Sequence, residues 1–290
     1  MKTLLDPLGA QRATSPLDGG ATWRFLDSGA ADGVTNMAVD AALLDHARAT
    51  GECTLRVYAW SVPTLSLGRH ERARRRFDAA TLERAGVGVV RRPTGGRALL
   101  HHHEVTYSVT APVHGTSLAD SYHAINALLI EALARLGVSA REAEQRGAPL
   151  RPQGAPCFAE PNRGELVAAG GGKLVGSAQW RDGDALLQHG SILVENDQGR
   201  IGALTTVPSP PANAADPGAS SSLLVATLTD ILKRRVTYDE VRDAVAGALS
   251  ARLVRDGVTS LHMVESDSGV FTTVNAHRVR FTDPEWTWRR

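Results

Sequence analysis

Short strand-like runs recur along this chain with helical stretches inserted between them. That pattern confines the fold to a sheet with helices on its faces. TLRVYAW (54–60), TLSLG (64–68) and GVGVVRR (86–92) come first, the first two separated by a turn at Ser61, Val62 and Pro63. VTYSVTA (105–111), ELVAA (165–169), KLVGSAQW (173–180) and ALLQHGSILV (185–194) follow. Between them, apolar residues at three- and four-residue steps predict helices. One spans Thr35 to Ala49, carrying Met37, Ala41, Leu44 and Ala47, with Thr35 or Asn36 as its N-cap. A second spans Asp78 to Ala85, and a third Ser117 to Leu136, with Ile125, Leu128, Leu129 and Leu133 along one stripe. Ser221 to Leu232 and Tyr238 to Leu253 read as two more. Strands paired with their neighbours and helices between them predict an α+β domain built on a mixed sheet.

No apolar run approaches the roughly 20 residues of a membrane-spanning helix. Residues 1–20 lack the apolar run of ~7–15 residues that a secretory signal needs, and read as a flexible leader. Residues 21–204 are expected to form the main domain. The stretch 205–220, TTVPSPPANAADPGAS, has linker composition, and 221–290 is expected to be a helical extension packed on the main domain. The 32 basic and 31 acidic residues leave a formal net charge of +1, so no bulk field points to nucleic acid or membrane, and neither is an expected partner. Two cysteines, Cys53 and Cys157, are expected to stay reduced, which suits a cytoplasmic address.

Chemistry concentrates in a few places. RRPTGGRALLH (91–101) holds Gly95 and Gly96 between the cations Arg92 and Arg97, a tight turn where a ligand can approach bare backbone. In GGGKLVGSAQWR (170–181), Lys173 opens a strand that Gly176 and Ser177 interrupt, a sign of close approach. Gln188, His189 and Ser191 break an apolar strand and must find polar partners there. Cys157 sits in a Pro-rich polar stretch, an unsuitable place for a structural cysteine, whereas Cys53 beside Glu52 reads as structural. On a strand, His102 points away from His101 and His103, and no acidic or cysteine spacing completes a tetrahedral set, so no metal is expected. Arg69, Arg72, Arg74, Arg75 and Arg76 form a basic cluster that is either a solvated face or a docking surface for an acidic partner.

WRFLDSG, NMAVDAALL, LRVYAWSVPTLSLG, RRPTGGRALLH, EVTYSV, CF, GKLVGSAQ and LQHGSIL fall in the order and spacing of the lipoate–protein ligase and octanoyltransferase family, from Trp23 to about Val194. Within it the chain most resembles the octanoyl-[acyl-carrier-protein]:protein octanoyltransferases, whose nucleophilic cysteine precedes the GK-x-x-GSAQ strand, the place that Cys157 occupies. The resemblance implies the mixed-sheet fold of biotin and lipoyl protein ligase catalytic domains, which makes 21–204 the acyltransferase domain. It implies an acyl tunnel lined by the Gly-Gly turn, Lys173 and the His189 strand, with Arg92, Thr94, Gly95, Gly96, Arg97, His101, Gly176, Ser177, Ala178, His189 and Gly190 binding the substrate. It also implies that Cys157 becomes acylated, with Lys173 as the expected cation beside it. The expected donor is octanoyl acyl carrier protein, the expected acceptor is a lipoyl-domain protein such as the glycine cleavage H protein, and no cofactor is expected.

Three other readings share these residues. An ATP-dependent lipoate–protein ligase would use the same turn and lysine but no cysteine. An amidotransferase would move octanoate between lipoyl proteins. A non-catalytic effector-binding protein would have no use for Cys157.

Overall fold

Side chains alternate along a strand, so period-two chemistry separates the two faces of a sheet. In β2 (Cys53–Trp60), Cys53, Leu55 and Val57 face one way, and Arg56, Tyr58 and Trp60 the other. In β6 (Glu104–Pro112), Val105, Tyr107 and Val109 alternate with Thr106, Ser108 and Thr110. The computed structural model describes residues 22–113, 115–144, 164–206, 225–257, 261–264 and 268–289. The leader, Cys157 and 207–220 of the linker stretch lie outside them.

The main sheet has 8 strands in the order β11-β1-β2-β6-β10-β9-β8-β7. These are β1 (Trp23–Ala31), β7 (Ala140–Glu142), β8 (Leu166–Ala168), β9 (Lys173–Asp182), β10 (Ala185–Leu193) and β11 (Leu261–Val264), with β2 and β6. β1 runs parallel to β2 and β11, and the other pairs are antiparallel, so the sheet is mixed as expected. Its apolar face packs on α3 (Leu118–Arg135) and α5 (Tyr238–Asp256). Its polar face lies under α1 (Gly33–Thr50), with α6 (Ser268–Thr282) packed against α1. A second sheet of 3 strands, β4-β3-β5, comprises β3 (Thr64–Leu67), β4 (Gly88–Arg91) and β5 (Leu99–His101). It rests on α2 (Ala79–Arg84) and a 3₁₀ helix (Gln198–Leu204), and it carries the Gly-Gly turn.

Two local expectations shift. The first helix begins at Gly33, because Asp32 is its cap: the carboxylate accepts from the Thr35 N–H and hydroxyl, each at 2.8 Å. Asn36 instead faces the sheet and donates to Ala59 O at 3.0 Å. The C-terminal stretch is also more than helical. After α4 (Leu228–Leu232) and α5, Leu261–Val264 adds an edge strand to the main sheet before α6 and α7 (Pro284–Thr287). Four residues carry too little periodicity to be read as a strand. Among the described residues no helix is long and apolar enough to cross a membrane.

Candidate active site

A cavity of about 610 Å³ opens between the two sheets. Arg92, Gly95, Gly96, Arg97 and His101 wall one side. Gly176, Ser177, Ala178, His189 and Gly190 wall the other. These residues come from two distant stretches, and the structure brings them together. Gly190 is required by the crossing of chains: a Cβ there would lie 2.5 Å from Gly176 O and 2.8 Å from Tyr107. Met37, Tyr58, Trp60 and Leu99 add apolar wall.

Two carboxylate–histidine chains hold the turn. In one, buried Thr94 donates from its hydroxyl to His189 Nε2 at 2.7 Å, and His189 Nδ1–H donates to Asp40 Oδ2 at 3.0 Å. Thr94 is therefore a support behind the wall. Burial alone would raise the Asp40 carboxyl, but Arg56, His189 and Ser108 outweigh it and hold it below its ordinary value. Burial lowers His189, only partly offset by Asp40, so the ring is neutral at pH 7. Arg56 is itself buried, and it donates to Asp40 at 2.7 Å, to Asn36 Oδ1 at 2.9 Å and to Ser28 at 2.8 Å. Asn36 and Asp40 lie one helical turn apart on α1 and so meet it together.

In the second chain, Arg92 donates to Ser66 Oγ at 2.9 Å, the Ser66 hydroxyl donates to His101 Nε2 at 2.7 Å, and His101 Nδ1–H donates to Glu104 Oε1 at 2.7 Å. The same oxygen accepts from Ser191 at 2.6 Å and Thr106 at 2.7 Å. Trp60 stacks on His101 with centroids 4.0 Å apart. Arg92 also crosses the turn to Gly95 O and Arg97 O, each at 2.8 Å. Gly96 has φ +96, and a Cβ there would lie 2.6 Å from Arg92 Nη2, so this position admits glycine alone without strain. Opposite, Gln188 donates to the Tyr107 hydroxyl at 2.9 Å, which is 2.7 Å from Ser177 Oγ. Burial pushes Tyr107 up to about 12.

Lys173 differs in placement from the expectation. It is fully buried and stands behind the wall, with Nζ 2.8 Å from Glu165 Oε1. Glu165 is the member of the pair that faces the cavity. A buried ammonium requires such a partner. Cys157 lies outside the described residues. Cys53 is buried in the core with its thiol pushed up to about 12 by burial and then by Glu52, a setting that keeps it unreactive.

The histidine triplet divides. His101 belongs to the cavity, whereas His102 and His103 lie in the turn after β5, where Asp197 joins them with ligand atoms within 4.8 Å. An acid supplied from so far along the chain was not visible in the sequence. Asp197 already accepts from His102 at 2.8 Å and from Arg200 at 3.4 Å. Sequence reasoning also missed Asp40, Arg56, Glu104, Glu165 and Ser66. The signal for the first two was a charge inside an apolar run, NMAVDAALL and LRVYAW.

This fold and site define a lipoyl-ligase-type catalytic domain, and the chain belongs to the lipoyl protein ligase A/B catalytic domain family, whose model matches residues 32–250. It is 36% identical over 282 residues to the octanoyltransferase LipM of Kyrpidia tusciae, covering 93% of this chain and 99% of that one. Two solved structures share the fold at 21% identity and TM-score 0.72: a lipoate-protein ligase A bound with ATP, and a bi-partite lipoate protein ligase from Thermoplasma acidophilum. They cover 92% of this chain, and 98% and 96% of their own.

Proposed function

We propose that the protein moves an octanoyl group from an acyl carrier protein to a lysine of a lipoyl domain, such as that of the glycine cleavage H protein, through a thioester on Cys157. The observation that carries this reading is end-to-end similarity to a relative named octanoyltransferase. The cavity supports it: Met37, Tyr58, Trp60 and Leu99 offer an apolar surface to an alkyl chain, each buried methylene contributing roughly 0.8 kcal/mol.

The chemistry balances in two steps. The Cys157 thiolate attacks the donor thioester carbonyl and the pantetheine thiol leaves, one thioester replacing another. The acceptor lysine amine then attacks the acyl-enzyme, forming an amide, losing its proton and releasing the Cys157 thiol. Lys173, held by Glu165 behind the cavity wall, supplies positive charge whose field lowers a thiol pKa and favours each oxyanion.

Intact mass spectrometry of the protein incubated with octanoyl carrier protein tests this. A gain of one octanoyl group without ATP, labile to hydroxylamine, is the expected result. Modification of the acceptor only when free acid and ATP are supplied would assign the protein to the ligases instead.

A further inference from the structure

Three arginines from separate stretches gather beside the Gly-Gly turn that walls the cavity. Arg69 follows β3; its backbone N–H donates to Thr94 O at 2.8 Å, and its guanidinium lies 4.7 Å over the Trp180 ring. Arg280, in α6, and Arg289, beyond α7, stack on Trp286 with guanidinium carbons 3.6 Å and 3.8 Å from the ring centroid. Two cations that close to one centroid must occupy opposite faces. Trp286 is fixed by its own N–H bond to Arg91 O at 2.9 Å, and Arg289 donates to Arg69 O at 2.6 Å. The three charges are thus tied to one another and to the backbone of the Gly-Gly turn.

Two of the three, Arg69 and Arg280, are poorly neutralised. Among the described residues no carboxylate forms an ion pair within 4.0 Å of Arg69 or Arg280. Asp182 acts on Arg280, but it is already bonded to Arg48 at 2.8 Å. Burial, and then Arg69 and Arg289, hold Arg280 below the ordinary arginine value. Stacking on indole offsets part of this repulsion. Guanidinium forks match phosphate oxygens in geometry and charge.

We propose that Arg69, Arg280 and Arg289 form an anion site, beside the Gly-Gly turn, that takes the phosphate of the pantetheine arm presenting the donor thioester. This rests on the carrier-protein reading above. It differs from a diffuse docking surface at 69–76, because the C-terminal residues supply two of its three cations and the ligand is a single phosphate.

The test compares two small donors, octanoyl-pantetheine and octanoyl-4′-phosphopantetheine. With the full chain, KM is expected to be about tenfold lower for the phosphorylated donor, the worth of one charge-assisted hydrogen bond. In Arg280→Gln the ratio of the two KM values should fall below about twofold. Arg280→Lys, which keeps the charge and the aliphatic stem, should retain part of it, which separates loss of the site from loss of folding. Equal KM values in the wild type, or an undiminished ratio in Arg280→Gln, would overturn the proposal. So would an unaffected ratio accompanied by a raised KM for the whole carrier protein, which would make the cluster a contact for acidic protein surface. Transfer from octanoyl-pantetheine leaves the parent reading standing whichever way the ratio falls. Failure with both small donors and with octanoyl carrier protein would remove that reading and the phosphate site with it.

Discussion

Asp40 and His189 stand 149 residues apart in the chain, and the carboxylate Oδ2 and ring Nδ1 meet at 3.0 Å. The pair sets which ring nitrogen carries the proton, and so leaves Nε2 to accept from Thr94 beside the turn. Thr94→Val keeps the volume and removes the hydroxyl, leaving a buried acceptor without its donor at a cost of about 1–3 kcal/mol. The expected result is a Tm lower by a few degrees and a roughly tenfold fall in kcat/KM. Unchanged kinetics would show that the turn needs no support from this side.

Acid should expose the same pair. Both groups have folded-state pKa values below their ordinary ones, 3.8 for Asp40 and 6.5 for His189. The unfolded chain therefore binds their protons first, and their contribution is present at high pH and lost as pH falls. Tm should begin to drop below about pH 6.5 and drop further below about 3.8. Arg92 and His101 also face His189 and oppose its protonation. In His189→Gln the decline starting near 6.5 should be reduced, as read from Tm across a pH series.

For the nucleophile, Cys157→Ala should abolish acyl-enzyme formation and transfer. Cys53→Ala should still form the acyl-enzyme, because that thiol is packed into the core, although it loses stability by about 1 kcal/mol. Persistent hydroxylamine-labile octanoylation in the Cys157 variant would reassign the site.

Lys173→Met preserves most of the stem and removes the charge. It should slow transfer by roughly 10²–10³, the scale of one lost electrostatic contribution to the transition state. Glu165→Gln tests the partner: an ammonium 2.8 Å from a neutral amide keeps its hydrogen bond but loses its counter-ion. Alkylation of Cys157 by iodoacetamide across pH should report both variants, with the Lys173→Met thiol titrating higher than wild type. A superimposable alkylation profile would separate Lys173 from the thiol.

The glycine pair separates two requirements. A Cβ at Gly95 meets nothing within 4 Å, so Gly95→Ala should fold with an unchanged Tm while crowding the cavity and raising KM for the donor. Gly96→Ala, with φ +96 and Arg92 in contact, should lower Tm as well. An unaltered KM in Gly95→Ala would mean that no ligand approaches that atom.

The sheet and its long helices were legible because period two in VTYSVTA and period 3.6 in Ser117–Leu136 are properties of single segments. The walls of the cavity were legible too, since glycines and lone polar residues in strands stand out locally. The buried partners were not. Whether Asp40 meets Arg56 and His189, or Glu104 meets His101 and Ser191, depends on which strands become neighbours, and no segment carries that information by itself. The C-terminal arginines were missed for the same reason, lying far in sequence from the turn they flank.

Arg91 donates to Thr287 O at 2.8 Å, and Trp286 donates back to Arg91 O at 2.9 Å, across 196 and 195 positions of the chain. During synthesis, β4 and the turn that follows it therefore leave the ribosome long before the residues that clamp them. A nascent chain halted ahead of residue 284 has the whole lining of the cavity and lacks the clasp, so competence for acyl transfer is expected only once residues 284–289 dock. Stalled chains bearing the Gly-Gly turn should stay protease-sensitive between β4 and β5 until residues 284–289 have been added.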